Sequence, residues 1–165
     1  NTEASAAWLA EVEQMDGVQK SESGLLYRID REGDGAQPAN DTDVVTVNYE
    51  GKVQDGTVFD SSYERGEPTS FPLNRVIAGW TEGLKYVKVG GQITLWIPAE
   101  LAYGENGSGA IIGPNQALEF KVELLEVKAE EFGGVIDYTL YLWGYVHHDG
   151  HTSFFLYLVS MLFGL

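Results

Sequence analysis

The sequence predicts an α+β domain in which a curved antiparallel β-sheet, a half-barrel, wraps around one short α-helix. β-Branched and aromatic runs recur between residues 24 and 128, separated by turn sequences such as Asp55-Gly56. In this region one stretch, residues 76–84, has apolar residues at helical spacing. A helix this short is unstable alone, so Trp80 on its apolar face is expected to pack against the sheet.

The composition narrows the class of protein. The chain has 165 residues, enough for one core domain with appendages. Its net charge of −15 argues against nucleic-acid binding, which needs a basic surface, and against electrostatic docking to anionic membranes. There is no cysteine, which excludes disulfides and cysteine-based metal sites.

Residues 1–20 predict the end of a helix. The segment is rich in alanine, and Trp8, Val12 and Met15 fall on one stripe. Asp16-Gly17 has the composition of a helix stop. Because this helix is too short to be stable alone, it needs a partner surface or the remainder of a longer N-terminal region.

Strands are predicted on both sides of a hairpin turn. Residues 24–29 and 44–49 are strand-like, and 54–57 form the turn. Val58 and Phe59 begin the returning strand, which the polar residues 60–62 are expected to end. Residues 63–70 are predicted as a loop, and 70–73 as an edge segment.

The central helix, residues 76–84, has a predicted buried face of Val76, Ile77, Trp80 and Leu84. Asn74 is expected to cap it through its side chain. Gly79 and Gly83 are poor helix formers, so their presence predicts close backbone packing.

The remaining strands follow the helix. A turn at residues 89–91 precedes a strand at 92–98, and a glycine-rich loop occupies 102–110. Residues 117–127 alternate apolar and polar side chains, which predicts a half-buried strand.

Residues 129–165 differ in composition from the rest of the chain, because they contain two apolar, aromatic-rich runs. Two apolar runs, 135–146 and 153–165, are shorter than the ~18–20 residues of a membrane-spanning helix. Non-native or frameshifted sequence, a partner-dependent segment and an extra packed hairpin all stay open. His147, His148 and His151 fit a polar turn better than a metal site. The predicted division is therefore 1–20, 21–128 and 129–165.

One set of side chains is expected to line a common cavity. It is aromatic and apolar with a single acid, which suits a ligand pocket. It contains no nucleophile–base pair, metal cluster or phosphate-binding loop, so no cofactor and no metal are expected. The candidates are Tyr49, Phe59, Asp60, Phe71, Val76, Ile77, Trp80, Tyr103, Ile111, Ile112 and Phe120.

Five blocks of sequence, in order and at matching spacing, resemble the FKBP-type peptidyl-prolyl cis–trans isomerases, which bind tacrolimus and rapamycin. The blocks are 44–51, 55–62, 76–84, 102–104 and 120–125. The resemblance runs from about Gly24 to Lys128. Residues 23–28 after a helix resemble the bacterial subgroup of macrophage infectivity potentiator and the periplasmic FKBP chaperones. That subgroup implies a homodimer through an N-terminal region of which residues 1–20 would be a remnant. It also implies a location in the bacterial periplasm or at the outer membrane, with the cytoplasm as alternative.

The resemblance implies a role for each candidate. Tyr49, Phe59, Phe71, Trp80 and Phe120 would wall a proline pocket. Val76 and Ile77 would lie along the bound peptide, with the Ile77 N–H holding a substrate carbonyl. Asp60 and Tyr103 would supply polar contacts, and Ile111 and Ile112 would form a flap. Where many members carry His-Pro-Gly, this chain has Ser108-Gly109-Ala110, which changes the pocket rim.

Three functions remain in competition at this point. A prolyl isomerase acting on proline-containing peptides and unfolded proteins is favoured, since a dry apolar pocket favours the twisted amide over the planar one. A binding module or chaperone with little turnover is the alternative, and a membrane-associated protein anchored through residues 129–165 is the third. The structural alternatives are Trp80 as core, Asp60 as a turn former and Tyr103 as a loop anchor.

Overall fold

Seven antiparallel strands form one open sheet within residues 1–129, the part of the chain that the computed structural model describes. The strands are β1 (Gln19–Lys20), β2 (Leu26–Arg31), β3 (Val44–Val53), β4 (Val58–Ser61), β5 (Thr69–Pro72), β6 (Gln92–Ile97) and β7 (Leu118–Lys128). Their spatial order is β1-β2-β6-β7-β3-β4, and β5 also pairs with β3. The predicted fold class, an antiparallel sheet with one short central helix, is confirmed.

The centre of the sheet is the long pair of β3 and β7. Their register runs from Val44 opposite Lys128 to Val53 opposite Leu118, with one irregularity between Thr46 and Val47. Alternate residues of both strands are buried on the inner face, as the sequence pattern predicted. The Asp55-Gly56 turn then returns the chain into β4, which pairs with the far end of β3.

The central helix, α3 (Ala78–Gly83), packs its backbone directly on the inner face of β6. A Cβ atom placed on Gly79 would lie 2.5 Å from Ile97 Cγ2, and one on Gly83 would lie 2.6 Å from Leu95 Cδ2. Glycine is therefore required at both positions by packing, which confirms the close approach predicted from the sequence.

The predicted start and cap of this helix are wrong. The helix begins at Ala78 with Ile77 as its N-cap, and no side chain caps it. Asn74 lies instead in a 3₁₀ turn, Leu73–Arg75, which is followed by an extended Val76. The Thr81 hydroxyl donates to the Leu73 carbonyl oxygen at 2.5 Å and so links α3 to the 3₁₀ turn that precedes it.

The N-terminal helix, α1 (Thr2–Glu13), has its partner surface on the outer face of the sheet. Val12 packs there with Leu26 and Trp96, and Trp8, Leu9 and Val18 complete this outer cluster. Trp96 and Leu95 are neighbours on β6, so their side chains point to opposite faces, and β6 is buried on both sides. The helix ends before Met15, which is 43% exposed, so the prediction that Met15 shares the buried stripe is wrong.

Residues 60–65 also differ from expectation. Asp60 and Ser61 continue β4, paired with Gly51 and Glu50, where the sequence suggested a break. A short helix, α2 (Ser62–Arg65), then replaces the first part of the loop predicted at residues 63–70. The Ser61 hydroxyl accepts a hydrogen bond from the Glu64 N–H at 3.3 Å and so caps this helix. Polar residues of this kind favour helix caps as well as turns, so the local sequence is compatible with both.

The predictions for the two C-terminal apolar runs and for His147, His148 and His151 fall in residues 130–165, which lie outside the described residues. Within residues 1–129, none of the helices has the length and apolar character needed to cross a membrane.

Candidate functional site

A cavity of about 400 Å³ opens between α3 and the strands that carry aromatic side chains. Nine of the eleven predicted site residues line it, together with Arg75. The lining residues are Tyr49, Phe59, Asp60, Phe71, Arg75, Val76, Ile77, Trp80, Tyr103 and Phe120. Residues from four strands, α3 and two connecting segments therefore meet at one place.

Trp80 forms the floor of this cavity and is held by three other rings. Its ring centroid lies 5.1 Å from that of Tyr49, 5.5 Å from that of Phe71 and 5.3 Å from that of Phe120, all edge-to-face. This is the arrangement that aromatic quadrupoles favour. Since Trp80 is only 4% exposed, the rings fix one another and the pocket is formed before any ligand binds.

Gly51 makes room for the aromatic wall. A Cβ atom at this position would lie 2.6 Å from Phe120 Cε1 and 2.7 Å from Phe59 Cζ. The two phenyl rings meet edge-to-face above it, with centroids 5.4 Å apart. A side chain on residue 51 would push both rings into the cavity.

The acid of the site belongs to a three-residue network. Asp60 accepts a hydrogen bond from the Tyr49 hydroxyl at 2.5 Å and one from Arg65 Nη1 at 2.5 Å. Arg65 Nη2 also donates to the Tyr49 hydroxyl oxygen at 3.0 Å, and the guanidinium lies over the Tyr49 ring. Burial, with the Asp60 hydrogen bond, raises the pKa of Tyr49, so Tyr49 stays a neutral donor toward Asp60.

Two cations of the site were not predicted from the sequence. Arg65 was placed in a loop, but α2 directs it back to Asp60 and Thr69. Arg75 belongs to the 3₁₀ turn before α3 and lines the cavity. The sequence feature that could have identified Arg65 is the polar stretch that follows Asp60. This stretch is able to form a helix, but it was interpreted as turn and loop sequence.

The predicted flap residues occupy different positions from the other candidates. Ile111 and Ile112 do not line the cavity. Ile111 is 46% exposed, whereas Ile112 is buried at 6% exposure and packs in the inner core. A bridge between Ser108 and Ile112 turns the two adjacent side chains in opposite directions. Tyr103 does line the cavity and is 38% exposed at its rim.

Two N–H donors of residues that line the cavity have no partner within the described part of the chain. The Ile77 carbonyl accepts from Trp80 and Thr81 in α3, but no described residue accepts a hydrogen bond from the Ile77 N–H. The indole Nε1 of Trp80 is buried and likewise has no partner among the described residues. Ile77 itself is one of the residues that line the cavity.

A second, more open concavity of about 580 Å³ shares Val76 with the first. Its lining includes the charged side chains of Asp41, Glu82 and Lys85, so it does not suit an apolar ring. The aromatic cavity is the one lined mainly by aromatic and aliphatic side chains, with a few polar groups among them.

The fold and this cavity define a class of protein. Its lining is aromatic and aliphatic, with Asp60 already engaged by Tyr49 and Arg65, and it presents no nucleophile with a base. Within residues 1–129, no group of three or more His, Asp or Glu side chains is placed to hold a metal ion. The dimensions and the lining of this cavity match a small apolar ring.

The chain belongs to the FKBP-type peptidyl-prolyl cis-trans isomerase family, whose sequence model matches residues 35–125. It is 51% identical over 131 residues to the probable FKBP-type peptidyl-prolyl cis-trans isomerase FkpA of Neisseria meningitidis, covering 79% of this chain and 48% of that protein. The chain spans about half the length of the curated relatives it matches.

Solved structures support the same family. The crystal structure of FkpA from Escherichia coli superposes with a TM-score of 0.74 at 50% identity, covering 78% of this chain and 60% of that one. A peptidyl-prolyl cis-trans isomerase from Pseudomonas syringae gives a TM-score of 0.72 at 34% identity. In that case 77% of this chain and 92% of the other are covered.

Proposed function

We propose that this chain is a peptidyl-prolyl cis–trans isomerase that acts on proline-containing peptides and unfolded proteins. The observation that carries the proposal is the preformed aromatic cavity over Trp80. Ile77, whose N–H has no hydrogen-bond partner among the described residues, lies at its edge. Family membership supports it, because the matched segment, residues 35–125, contains every residue that lines the cavity.

The proposed mechanism needs no bond to a side chain. The proline ring lies over Trp80 between Tyr49, Phe59, Phe71 and Phe120, and water is excluded from the amide. The planar amide loses solvation there, whereas the twisted form, with less charge separation, loses less. The Ile77 N–H holds the peptide by a carbonyl. Each tenfold in rate requires about 1.4 kcal/mol of selective stabilisation of the twisted form.

Asp60 is proposed to act at the edge of the cavity while its own position is fixed. The hydrogen bonds from Tyr49 and Arg65 occupy one oxygen each, so the carboxylate cannot rotate freely. Tyr103 supplies a polar contact to the bound peptide at the rim, and Phe59 forms part of the wall. Ile111 belongs to the outer rim, whereas Ile112 is buried in the inner core beneath it. These roles follow the family resemblance and the shared cavity.

The test is the isomerisation rate of a proline tetrapeptide, measured with and without rapamycin. Rapamycin-sensitive turnover is expected for the wild-type chain. Asp60→Asn should lower kcat/KM by about tenfold, the effect of weakening one charge-assisted hydrogen-bond network. The matched control is Asp41→Asn, since Asp41 pairs with Lys85 outside the aromatic cavity. Equal rates in the two variants would refute the role of Asp60.

A binding module with little turnover is the second candidate. The observation that favours it is the rim, where Ile111 is turned to solvent and Ser108-Gly109-Ala110 stands beside it. A rim this open on one side encloses the peptide less completely. Rapamycin binding, detected by quenching of tryptophan fluorescence, without acceleration of isomerisation would establish this alternative.

The compartment and the assembly are further proposals. The similarity to proteins named FkpA favours the periplasm or the outer membrane of a bacterium over the cytoplasm. Cell fractionation with antibody detection tests the location. Sedimentation of the chain at several concentrations tests the homodimer, which would appear as a mass near twice that of the monomer.

A further inference from the structure

The first turn of α1 is hydrogen-bonded to the loop that carries one wall of the pocket. This rim loop comprises residues 102–117. The Ser5 hydroxyl accepts a hydrogen bond from the Ala117 N–H at 2.9 Å and donates one to the Asn115 carbonyl at 3.1 Å. Asn1 Nδ2 donates to the Pro114 carbonyl at 2.8 Å. The helix on the outer face thus contacts the stem of a loop that reaches the inner-face pocket.

Ser5 is unusual among the residues of this helix. It is only 7% exposed, whereas its neighbours Ala4 and Ala6 are exposed. Alanine at this position would favour the helix more than serine does. The hydroxyl instead satisfies a buried N–H and a carbonyl of the rim loop, which would otherwise lack partners inside the described domain.

One path leads from Ser5 to Tyr103. Asn115 has φ +55°, and it is the one non-glycine residue with positive φ in the described chain. Its carbonyl is held by Ser5, and its N–H donates to the Gly104 carbonyl at 2.8 Å. Gly104 directly follows Tyr103, which lines the cavity. Holding Asn115 in this conformation therefore fixes the backbone beside Tyr103.

A second path leads to Ile112. Gln116, between the two residues that Ser5 holds, accepts a hydrogen bond from the Gly113 N–H through Oε1 at 2.7 Å. Gly113 follows Ile112, whose carbonyl accepts from the Ser108 N–H at 2.8 Å. The stem, the bridge and the Ile112 backbone therefore form one continuous hydrogen-bonded unit, and this unit carries the buried Ile112 side chain.

We infer that α1 is a positioning element of the aromatic pocket and that Ser5 is the residue through which it holds the rim loop. The floor around Trp80 does not depend on this contact, because it is packed by its own rings and by Gly79 against β6. Loss of the Ser5 hydroxyl therefore affects how well a peptide is held rather than the rotation step. Only this kinetic consequence rests on the proposed isomerase function.

The test compares two deletions of a buried hydroxyl in the full chain. Ser5→Ala removes both contacts to the rim loop. Thr94→Val is the matched control, because the Thr94 hydroxyl is buried and donates to Asp30 at 2.5 Å without touching the rim loop. Amide hydrogen exchange is measured at Ile112 and Asn115, whose partners are Ser108 and Gly104 rather than Ser5 itself. Global stability is measured in parallel by urea unfolding.

Exchange at both amides is expected to accelerate by about tenfold in Ser5→Ala, the factor that one hydrogen bond of ordinary strength supplies. In Thr94→Val, exchange at the two amides should stay at the wild-type rate. The KM for a proline tetrapeptide should rise in Ser5→Ala by a similar factor while kcat stays within about twofold.

Unchanged exchange in Ser5→Ala, equal acceleration in both variants, or faster exchange with an unchanged KM would each overturn the inference. Hydrogen exchange is recorded without substrate, so its outcome does not depend on the proposed function. Absence of turnover in the wild-type chain would refute the isomerase proposal, and in that case the dissociation constant of the same peptide replaces KM.

Discussion

The two faces of the sheet hold their helices by different means. On the inner face, α3 approaches β6 so closely that glycine is needed at two positions, and its Trp80 is packed by three rings. On the outer face, α1 rests on a few large side chains around Trp96 and on the polar contact of Ser5 with the rim loop. The inner contact is a rigid part of the core, whereas the outer one is small and separable. The pocket takes its floor from the first and part of its rim from the second.

The largest effect should come from the two buried tryptophans, one on each face. Trp80 is 4% exposed and Trp96 is 2% exposed. Replacing either by alanine should lower the free energy of unfolding by about 3–5 kcal/mol. Trp96→Ala should lie at the upper end because its Nε1 donates to Glu119, whereas the Trp80 Nε1 has no hydrogen-bond partner within residues 1–129.

Activity separates these two variants. Trp80→Ala should abolish isomerisation and rapamycin binding, while Trp96→Ala should keep kcat within about twofold. Urea unfolding followed by circular dichroism gives the stabilities, and the tetrapeptide assay is run well below each midpoint. If Trp96→Ala also abolished kcat, the two faces would not be separable as described.

A second prediction concerns Gly79. Alanine favours a helix by about 1 kcal/mol over glycine. At this position the added Cβ meets Ile97, so Gly79→Ala should instead destabilise the protein by about 1–3 kcal/mol. On α1, where Ala6 is exposed, Ala6→Gly should cost about 1 kcal/mol through helix propensity alone.

A double variant identifies the cause of the Gly79 effect. In an Ile97→Ala background the obstructing side-chain atoms are absent, so Gly79→Ala should stabilise the protein by up to about 1 kcal/mol through helix propensity. The difference between the two backgrounds measures the coupling between the positions. Additive effects would show that the contact with β6 is not what requires glycine.

The smallest predicted effect is an acid dependence on the inner-face side. Backbone hydrogen bonds from Ala39 and Asn40 lower the pKa of Asp43 from its usual value of 3.8. A lowered folded-state pKa means that Asp43 stabilises the fold above the unfolded-state pKa. This stability is lost as the pH falls through the lower folded-state value.

Asp43→Asn should therefore remove about 1 kcal/mol at pH 7 and flatten the loss of stability below pH 3.8. Because the Asp43 carbonyl also accepts from the Leu73 N–H, the segment leading to α3 should loosen first in acid. Thermal melts of both proteins from pH 7 to pH 2.5 test this, and parallel acid limbs would contradict it.

Periodicity predicted the inner face well and the outer face poorly. The alternation of residues 117–127 and the helical spacing around Trp80 both reflect burial against a single partner, so each was visible in the sequence. β6 is buried on both faces, and nothing in its own sequence indicates that α1 covers the outer one. Docking between distant segments is a tertiary property, and local pattern does not contain it.

The site shows the same division. The aromatic residues identified the cavity because they are large apolar side chains at the spacing of the family that the sequence resembles. Few roles other than lining a pocket fit such a set. Arg65 was missed because its role depends on α2 turning it back to Asp60, and the local sequence suggested only a turn. Ile111 and Ile112 were treated as a pair, but a single bridge sends adjacent side chains in opposite directions.

The position of β7 has a consequence for biosynthesis. β7 is the last strand of the described domain, yet it lies between β6 and β3 at the middle of the sheet. While the chain is being made, β1, β2 and β6 can pair among themselves, as can β3, β4 and β5. The two groups of strands cannot join until β7 arrives, since β3 and β6 have no direct pairing with each other. Phe120, one wall of the pocket, also arrives only with this strand. The nascent domain therefore stays open on the ribosome, with unpaired strand edges, until residues near Lys128 have left the exit tunnel.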